Sequence, residues 1–200
     1  MPKNAEIKRE SILDAAFTQF SRYGFRRTSM EDIAKETGIS RASIYSHFEN
    51  KEEVFRSLST SLHEQALSQA ETQLKGTQSN RKAPIHLTAR ITSALLAKIE
   101  PFHKVLTESS HGSELADENN QRCGDLVRDS QKRFLKMLTQ ALDAAAQNGE
   151  IDLKSAKLKA SVAAELIYLG ATGFKQGASD SAILEKRIRD FVRVFLNGLS

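Results

Sequence analysis

Apolar residues recur every three or four positions along nearly the whole of this chain, and hardly anywhere do they alternate. That spacing places them on one stripe of an α-helix, whereas a half-buried strand needs a period of two. Leu13, Ala16, Phe17 and Phe20 form such a stripe between Lys3 and Tyr23. Leu184, Ile188, Phe191 and Phe195 form another near the C-terminus. Only three prolines occur among 200 residues, so long helices can run unbroken. No segment has the pattern of a strand, and no internal repeat is present. The fold class that follows is all-α, with about nine helices.

Stop and start signals divide the pattern. Gly24 ends the first helix. Thr28-Ser29-Met30-Glu31 then matches a capping box, in which the Thr28 hydroxyl and the Glu31 carboxylate satisfy free backbone donors of a short second helix. That helix carries Met30, Ile33 and Ala34 inward and stops at Thr37-Gly38. Ser40 caps a third helix with Ile44 and Phe48 one turn apart on one face, and Asn50 caps a fourth that runs to about Leu74. Lys75 to Pro84 has the composition of a loop. Helices are expected over about 85–98 and 101–108, with Pro101 in the first turn of the latter. Ser109 to Asn120 is polar and is expected as a loop or a loose helix start. Helices over about 121–147, 155–176 and 181–198 complete the chain.

Composition acts mainly by exclusion. At 40% hydrophobic and 27% charged residues the chain has the balance of a globular domain, long enough to bury a core without staples. A single cysteine, Cys123, excludes an intrachain disulfide and an all-cysteine zinc site, and is expected to pack rather than react. No apolar run approaches the roughly 18 residues of a spanning helix. Met1 to Glu10 lacks the apolar stretch of a signal peptide, so a cytoplasmic location without membrane partners is expected. Glu100-x-x-His103 and Glu108-x-x-His111 have the spacing of di-iron bundles. Such a site needs two separate helices and further glutamates, and these pairs share one stretch broken by Pro101 and Gly112. No GxSxG, HExxH or P-loop string occurs. The expectation is a protein that is not an enzyme and needs neither cofactor nor metal.

Charge is less informative than it looks. The formal net charge is +4, yet residues 1–56 hold ten Lys and Arg against nine Asp and Glu. Bulk basicity therefore does not argue for a polyanionic partner. Local pattern does. Two short helices joined by Thr37-Gly38-Ile39 form a helix-turn-helix, with Gly38 free to take the positive φ of a tight turn. Ile33, Ala34, Ile39, Ile44 and Phe48 hold the pair against the first helix. Arg41, Ala42 and Ser43 occupy the first turn of the third helix, the part that meets base edges in such motifs.

Residues 12–55 resemble the N-terminal domain of the TetR family of bacterial transcription regulators. The resemblance lies in Ile12-Leu13-Asp14-Ala15-Ala16, Phe20, Gly24-Phe25, Thr28-Ser29-Met30, Asp32-Ile33-Ala34 and Gly38-Ile39-Ser40. It continues through Ile44-Tyr45, His47-Phe48 and Lys51-Glu52-Glu53, and the tyrosine, histidine-phenylalanine and lysine are its most diagnostic part. It implies a DNA-binding domain over residues 1–50 and a helical effector-binding and dimerisation domain over 51–200. The DNA-binding residues it implies are Thr28, Ser29, Arg41, Ala42, Ser43, Tyr45, His47 and Lys51. Among them Arg41 suits guanine readout, while Lys51, Tyr45, His47, Thr28 and Ser29 suit phosphate contacts. Glu31, Asp32 and Glu49 are expected to face away from DNA.

The same resemblance implies a homodimer built on the last two helices. Leu166, Leu169, Gly173, Phe191, Val192 and Phe195 are the interface candidates, and Gly170, Gly173 and Gly177 suggest close backbone approach there. It also implies a small-molecule effector pocket among the central helices, with Phe102, His103, Leu106, Phe134, Met137, Leu138 and Tyr168 as lining candidates. The expected function is a sequence-specific regulator, a repressor released from a palindromic double-stranded DNA operator by its effector. The alternatives are control by a partner protein, or DNA binding without a small-molecule switch.

Overall fold

The computed structural model describes residues 2–76 and 86–199. Among them it holds nine α-helices and no strand. They are α1 (Pro2–Tyr23), α2 (Met30–Thr37), α3 (Arg41–Tyr45), α4 (Lys51–Lys75), α5 (Leu87–Glu108), α6 (Gly112–Arg122), α7 (Gly124–Gln147), α8 (Ala160–Gly173) and α9 (Ser181–Asn197). The loop expected from Lys75 to Pro84 lies, from residue 77 on, outside the described residues. No helix among the described residues is long and apolar enough to cross a membrane.

Two compact units form, and they do not divide at residue 50. One comprises residues 1–63 with 104–127, the other 64–103 with 128–200. The first is built on Ile12, Ala16, Phe20, Phe25, Ile33, Ile44, Phe48, Val54 and Phe55, together with Leu115 and Cys123 from far along the chain. Phe20, Phe25 and Phe55 pack mutually, with ring centroids 5.0–5.6 Å apart. Each such side chain contributes roughly 1.5–3 kcal/mol by leaving water. Leu115 of α6 and Cys123 just after it thus complete the N-terminal core, a long-range pairing that no local pattern announces. The second unit is centred on Ile91, Leu95, Phe134, Leu138, Leu142, Ala163, Ile167, Leu184 and Ile188.

Local signals placed most helix ends, with five differences, the first being that Gly112–Arg122 forms the separate helix α6 where a loop or a loose helix start was expected over Ser109 to Asn120. The capping box of α2 is formed by Ser29 and Asp32, one residue later than Thr28 and Glu31. Thr28 is buried, and its hydroxyl donates instead to the Gly24 carbonyl at 2.7 Å. Phe48 lies beyond α3, which ends at Tyr45, although the Phe48 amide still bonds the Ile44 carbonyl at 3.0 Å. Pro101 sits inside a continuous α5 rather than opening a new helix. One missing amide bond is outweighed there by the burial of Ile99 and His103 on either side. Finally, α8 begins at Ala160 and not near 155, because the Asp152 carboxylate accepts from the amides of Lys154 and Ser155 at 3.0 and 2.9 Å. That turn competes with the helix for the same backbone donors.

Candidate nucleic-acid interface

The recognition element is held by two caps and one glycine. The Ser40 hydroxyl accepts from the Ser43 amide at 3.1 Å and starts α3. Gly38 ends α2 in the left-handed region with φ of 73°, where a side chain would be strained. Ile44 is fully buried beneath α3. Ile44 is the one residue of the five pinned to the core, and Arg41, Ala42 and Tyr45 around it are exposed, Ala42 most nearly opposite. The Arg41 guanidinium lies 5.8 Å from the centre of the Tyr45 ring, so the two side chains form one cationic and aromatic ridge. Ser43 and His47 are half-buried at its edges. Ser29 is exposed at the start of α2, but its hydroxyl and amide both donate to Asp32. These hydrogen bonds hold the Asp32 carboxyl below the usual range, so an anion lies where a phosphate contact was expected.

Thr28 and Lys51 have other tasks than those expected of them. The Lys51 ammonium donates to the carbonyls of Phe25, Thr28 and, more weakly, Arg26, at 2.7, 2.8 and 3.4 Å. It also lies 4.5 Å from the centre of the Phe25 ring. Burial lowers its pKa, with the neighbouring charges of smaller effect. All three protons are thereby engaged, and none is left for a phosphate. Lys51→Met should destabilise the protein by about 1–2 kcal/mol through carbonyls left without a donor. It should also leave the slope of DNA affinity against salt unchanged. Titrations at several salt concentrations check this, and loss of about one unit of slope would restore the phosphate role.

Lys51 belongs to a clamp on the α1–α2 loop that sequence reasoning missed. Glu114 of α6 accepts from the Arg26 amide at 2.9 Å. The buried Glu118 takes the Arg26 side chain at 3.1 Å and the Arg122 side chain at 2.6 Å. Those partners, Arg122 foremost, hold its carboxyl below the ordinary glutamate range against the opposing effect of burial. Arg122 covers the Phe25 ring as well, at 4.7 Å from its centre. Arg9 of α1 adds a second tie, donating to the His47 carbonyl at 3.1 Å and the Ser57 hydroxyl at 2.8 Å. The segment that sets the angle of α2 and α3 is therefore fixed by residues roughly ninety positions away.

Among the effector-pocket candidates, Phe134 and Leu138 are fully buried in the second unit, with Met137 and Tyr168 packed against that core. The rings of Phe134 and Tyr168 lie 5.5 Å apart. His103 is buried there too, its Nε2 3.2 Å from the Ala178 carbonyl, and Phe102 lies near the Lys98 ammonium. Leu106 is not with them: α5 passes into the first unit after residue 103, and Leu106 is exposed there. His103 and His111 likewise fall in different units, and among the described residues no three metal-ligating side chains gather. Cys123 is buried, and burial pushes its thiol pKa up, which suppresses the reactive thiolate.

The interface candidates also divide. Leu166 and Leu169 are exposed on one face of α8, and Val162, which the sequence reading passed over, extends that face by a turn. On α9 Val194 is outward, at 66% exposure, and Ile183 is exposed as well, whereas Val192 is fully buried in its own core. Phe191 and Phe195 are half-buried and touch each other, their ring centres 5.9 Å apart. A Cβ on Gly170 would stand 2.5 Å from the Phe191 ring, so the close approach suggested by that glycine lies within one chain. Gly173 merely ends α8 with open space around it, and Gly177 makes a turn at φ of 71°.

A capped two-helix motif with an exposed Arg and Tyr ridge, carried in an all-helical chain, defines the class of helix-turn-helix DNA-binding proteins. Residues 12–58 match the family described as bacterial regulatory proteins, tetR family. That match spans the helix-turn-helix segment, about a quarter of the chain, and beyond it the chain is similar in sequence to transcription regulators. It is 28% identical to the HTH-type transcriptional regulator TtgR of Pseudomonas putida over 159 residues, covering 77% of this chain and 75% of TtgR. The fold is shared with a TetR-family transcriptional regulator of Mesorhizobium loti, at a TM-score of 0.71 and 21% identity over 97% of each chain. It is shared also with SmeT, the repressor of a Stenotrophomonas maltophilia multidrug efflux pump, at a TM-score of 0.67 and 22% identity over 96% and 89% of the two chains. SmeT has further been solved in complex with triclosan.

Proposed function

We propose that this chain is a homodimeric, cytoplasmic repressor that a small-molecule effector releases from a palindromic operator. The observation that carries the reading is the exposed ridge of Arg41, Ala42 and Tyr45, held outward by the buried Ile44 and the Ser40 cap. Arg41 reads guanine through O6 and N7, and Ala42 and Ser43 stand beside it in the same turn. Tyr45 and His47 flank the ridge and reach phosphates, and Ser29 remains a weaker candidate beside Asp32. Residues 1–50 supply the reading head, and residues 51–200, of which 51–63 and 104–127 pack in the same unit as that head, supply dimerisation and sensing.

One such motif reads only a few base pairs, so specificity requires two of them about one helical turn or slightly more apart. The exposed apolar face of Val162, Leu166 and Leu169 on α8, with Val194 exposed on α9, supports a second copy of this chain as the partner. The buried aromatic core around Phe134 and Tyr168 supports an effector in the second unit, and the triclosan complex of SmeT is a precedent for a small molecule on this fold. Release then requires an effector that prefers the DNA-incompetent state. The chemistry on hand is recognition, with no catalytic role assigned to any residue.

Selection of DNA from a random pool by the full-length protein tests the reading. The expected winner is a palindrome, and a pool that yields no two-fold-symmetric site overturns the proposal. Arg41→Ala should relax preference at one base pair in each half-site, a loss of about 1–3 kcal/mol of discrimination. An unchanged selected sequence would remove Arg41 from that role.

A further inference from the structure

Lys98 is the most anomalous residue of the second unit. It projects from α5 into the core, where it is only 5% exposed. Its ammonium makes one hydrogen bond, to the Ser130 hydroxyl of α7 at 2.9 Å, and lies 5.2 Å from the centre of the Phe102 ring. Three N–H groups face one neutral oxygen and one π-face, and no carboxylate forms an ion pair with them among the described residues. Among the described residues the charge that acts on Lys98 is that of Lys175, which has the same sign. Burial, with that repulsion in second place, lowers the Lys98 pKa to about 8, and burial lowers that of Lys175 as well. At neutral pH Lys98 is still mostly cationic.

A buried cation without an anion is among the costliest arrangements a core can hold, and an apolar side chain of similar length would pack there without that cost. The surroundings show what would offset it. Phe102 lies one helical turn from Lys98 on α5, Phe134 one turn from Ser130 on α7, and Tyr168 of α8 against Phe134. The Tyr168 hydroxyl is kept neutral by burial and can donate. The group therefore combines flat apolar walls with one strong and one secondary positive charge.

We propose that Lys98 is the anchor of the effector site and that the effector is a small amphipathic monocarboxylate, its carboxylate on Lys98 and Ser130 and its apolar body against Phe102, Phe134 and Tyr168. This rests on the reading of the second unit as a sensor and adds the chemical class of what it senses. Lys175 supplies a supporting charge. An organic anion is selected over a neutral molecule of equal size because only the anion neutralises the buried ammonium, and over an inorganic anion because only the organic body fills against the rings.

The test uses full-length dimeric protein and three matched sets of probes: benzoate, salicylate and decanoate; benzamide, methyl benzoate and decanol; and inorganic phosphate. Melting temperature and release of the selected operator are read for each. At least one carboxylate should raise the melting temperature and release DNA, its neutral counterpart should bind about tenfold more weakly or worse, and phosphate should do neither. Lys98→Met should melt no lower than the wild type, keep its operator affinity and lose the carboxylate response by about tenfold or more, whereas Lys98→Arg should retain it. Neutral counterparts that bind and release DNA as well as the acids would overturn the charge assignment while leaving a small-molecule switch in place. A carboxylate that binds wild type and not Lys98→Met, yet never releases the operator, would keep this site and overturn the switch. Undiminished carboxylate binding by Lys98→Met, or no binding by any carboxylate, overturns the proposal.

Discussion

Leu169→Glu should convert the proposed dimer into folded monomers and remove most of the operator affinity. In a single chain Leu169 is 52% exposed, between Leu166 and the end of α8, so its replacement leaves the core of the second unit untouched. In a two-fold interface the same substitution enters twice and places two carboxylates beside the apolar Val162 and Leu166 of the same helix face. A charge buried without a partner costs about 3–5 kcal/mol, and two of them raise the dissociation constant by three orders of magnitude or more, at about 1.4 kcal/mol per tenfold. Operator binding then falls to that of a single reading head. Sedimentation at micromolar concentration separates the outcomes, because the variant should sediment as a monomer with unchanged helical content. A variant that remains dimeric with full operator affinity would remove α8 from the interface.

Gly112→Ala should lower stability by about 3 kcal/mol, although alanine is the better helix former by roughly 1 kcal/mol. Gly112 opens α6, and a Cβ there would stand 2.6 Å from the Val105 carbonyl oxygen and closer still to that of Leu106. Both are backbone atoms at the end of α5, and they cannot swing aside as a side-chain tip can. Relief requires α6 to move, and α6 carries Glu114 and Glu118, which hold the Arg26 amide and side chain. Stability and DNA affinity should therefore fall together. Urea denaturation reads the first and operator titration the second. A variant within about 0.5 kcal/mol of wild type would show that the gap between α5 and α6 is not filled as tightly as these distances require.

The two substitutions probe opposite kinds of legibility. Leu169 stood out in the sequence as an apolar residue on the penultimate helix, and it is exposed there. Val192 had the same chemistry and the same apparent claim, yet it is wholly buried in its own chain, while Val194 two residues on points outward. A rotation of about 200° around one helix separates them, and hydrophobicity alone does not say which faces the neighbouring helix. Gly112 was legible as a punctuation mark, but its contact with two carbonyls of α5 was not.

What the sequence by itself determined is everything set by near neighbours: helix periodicity, the Ser40 and Asn50 caps, the turn at Gly38, and the string that places residues 12–58 in their family. Those interactions span four residues or fewer, so the order of side chains already contains them. Tertiary structure alone decided which polar groups have partners. Lys51 and Glu118 are bound to the α1–α2 loop from 23 to 92 positions away, whereas in the sequence Lys51 suits a phosphate contact and Glu118 resembles an ordinary surface charge. Lys98 looks equally ordinary there, and only the fold buries it beside Ser130 without an anion. The cost or benefit of a charge depends on what surrounds it in space, and that is fixed only when distant segments meet.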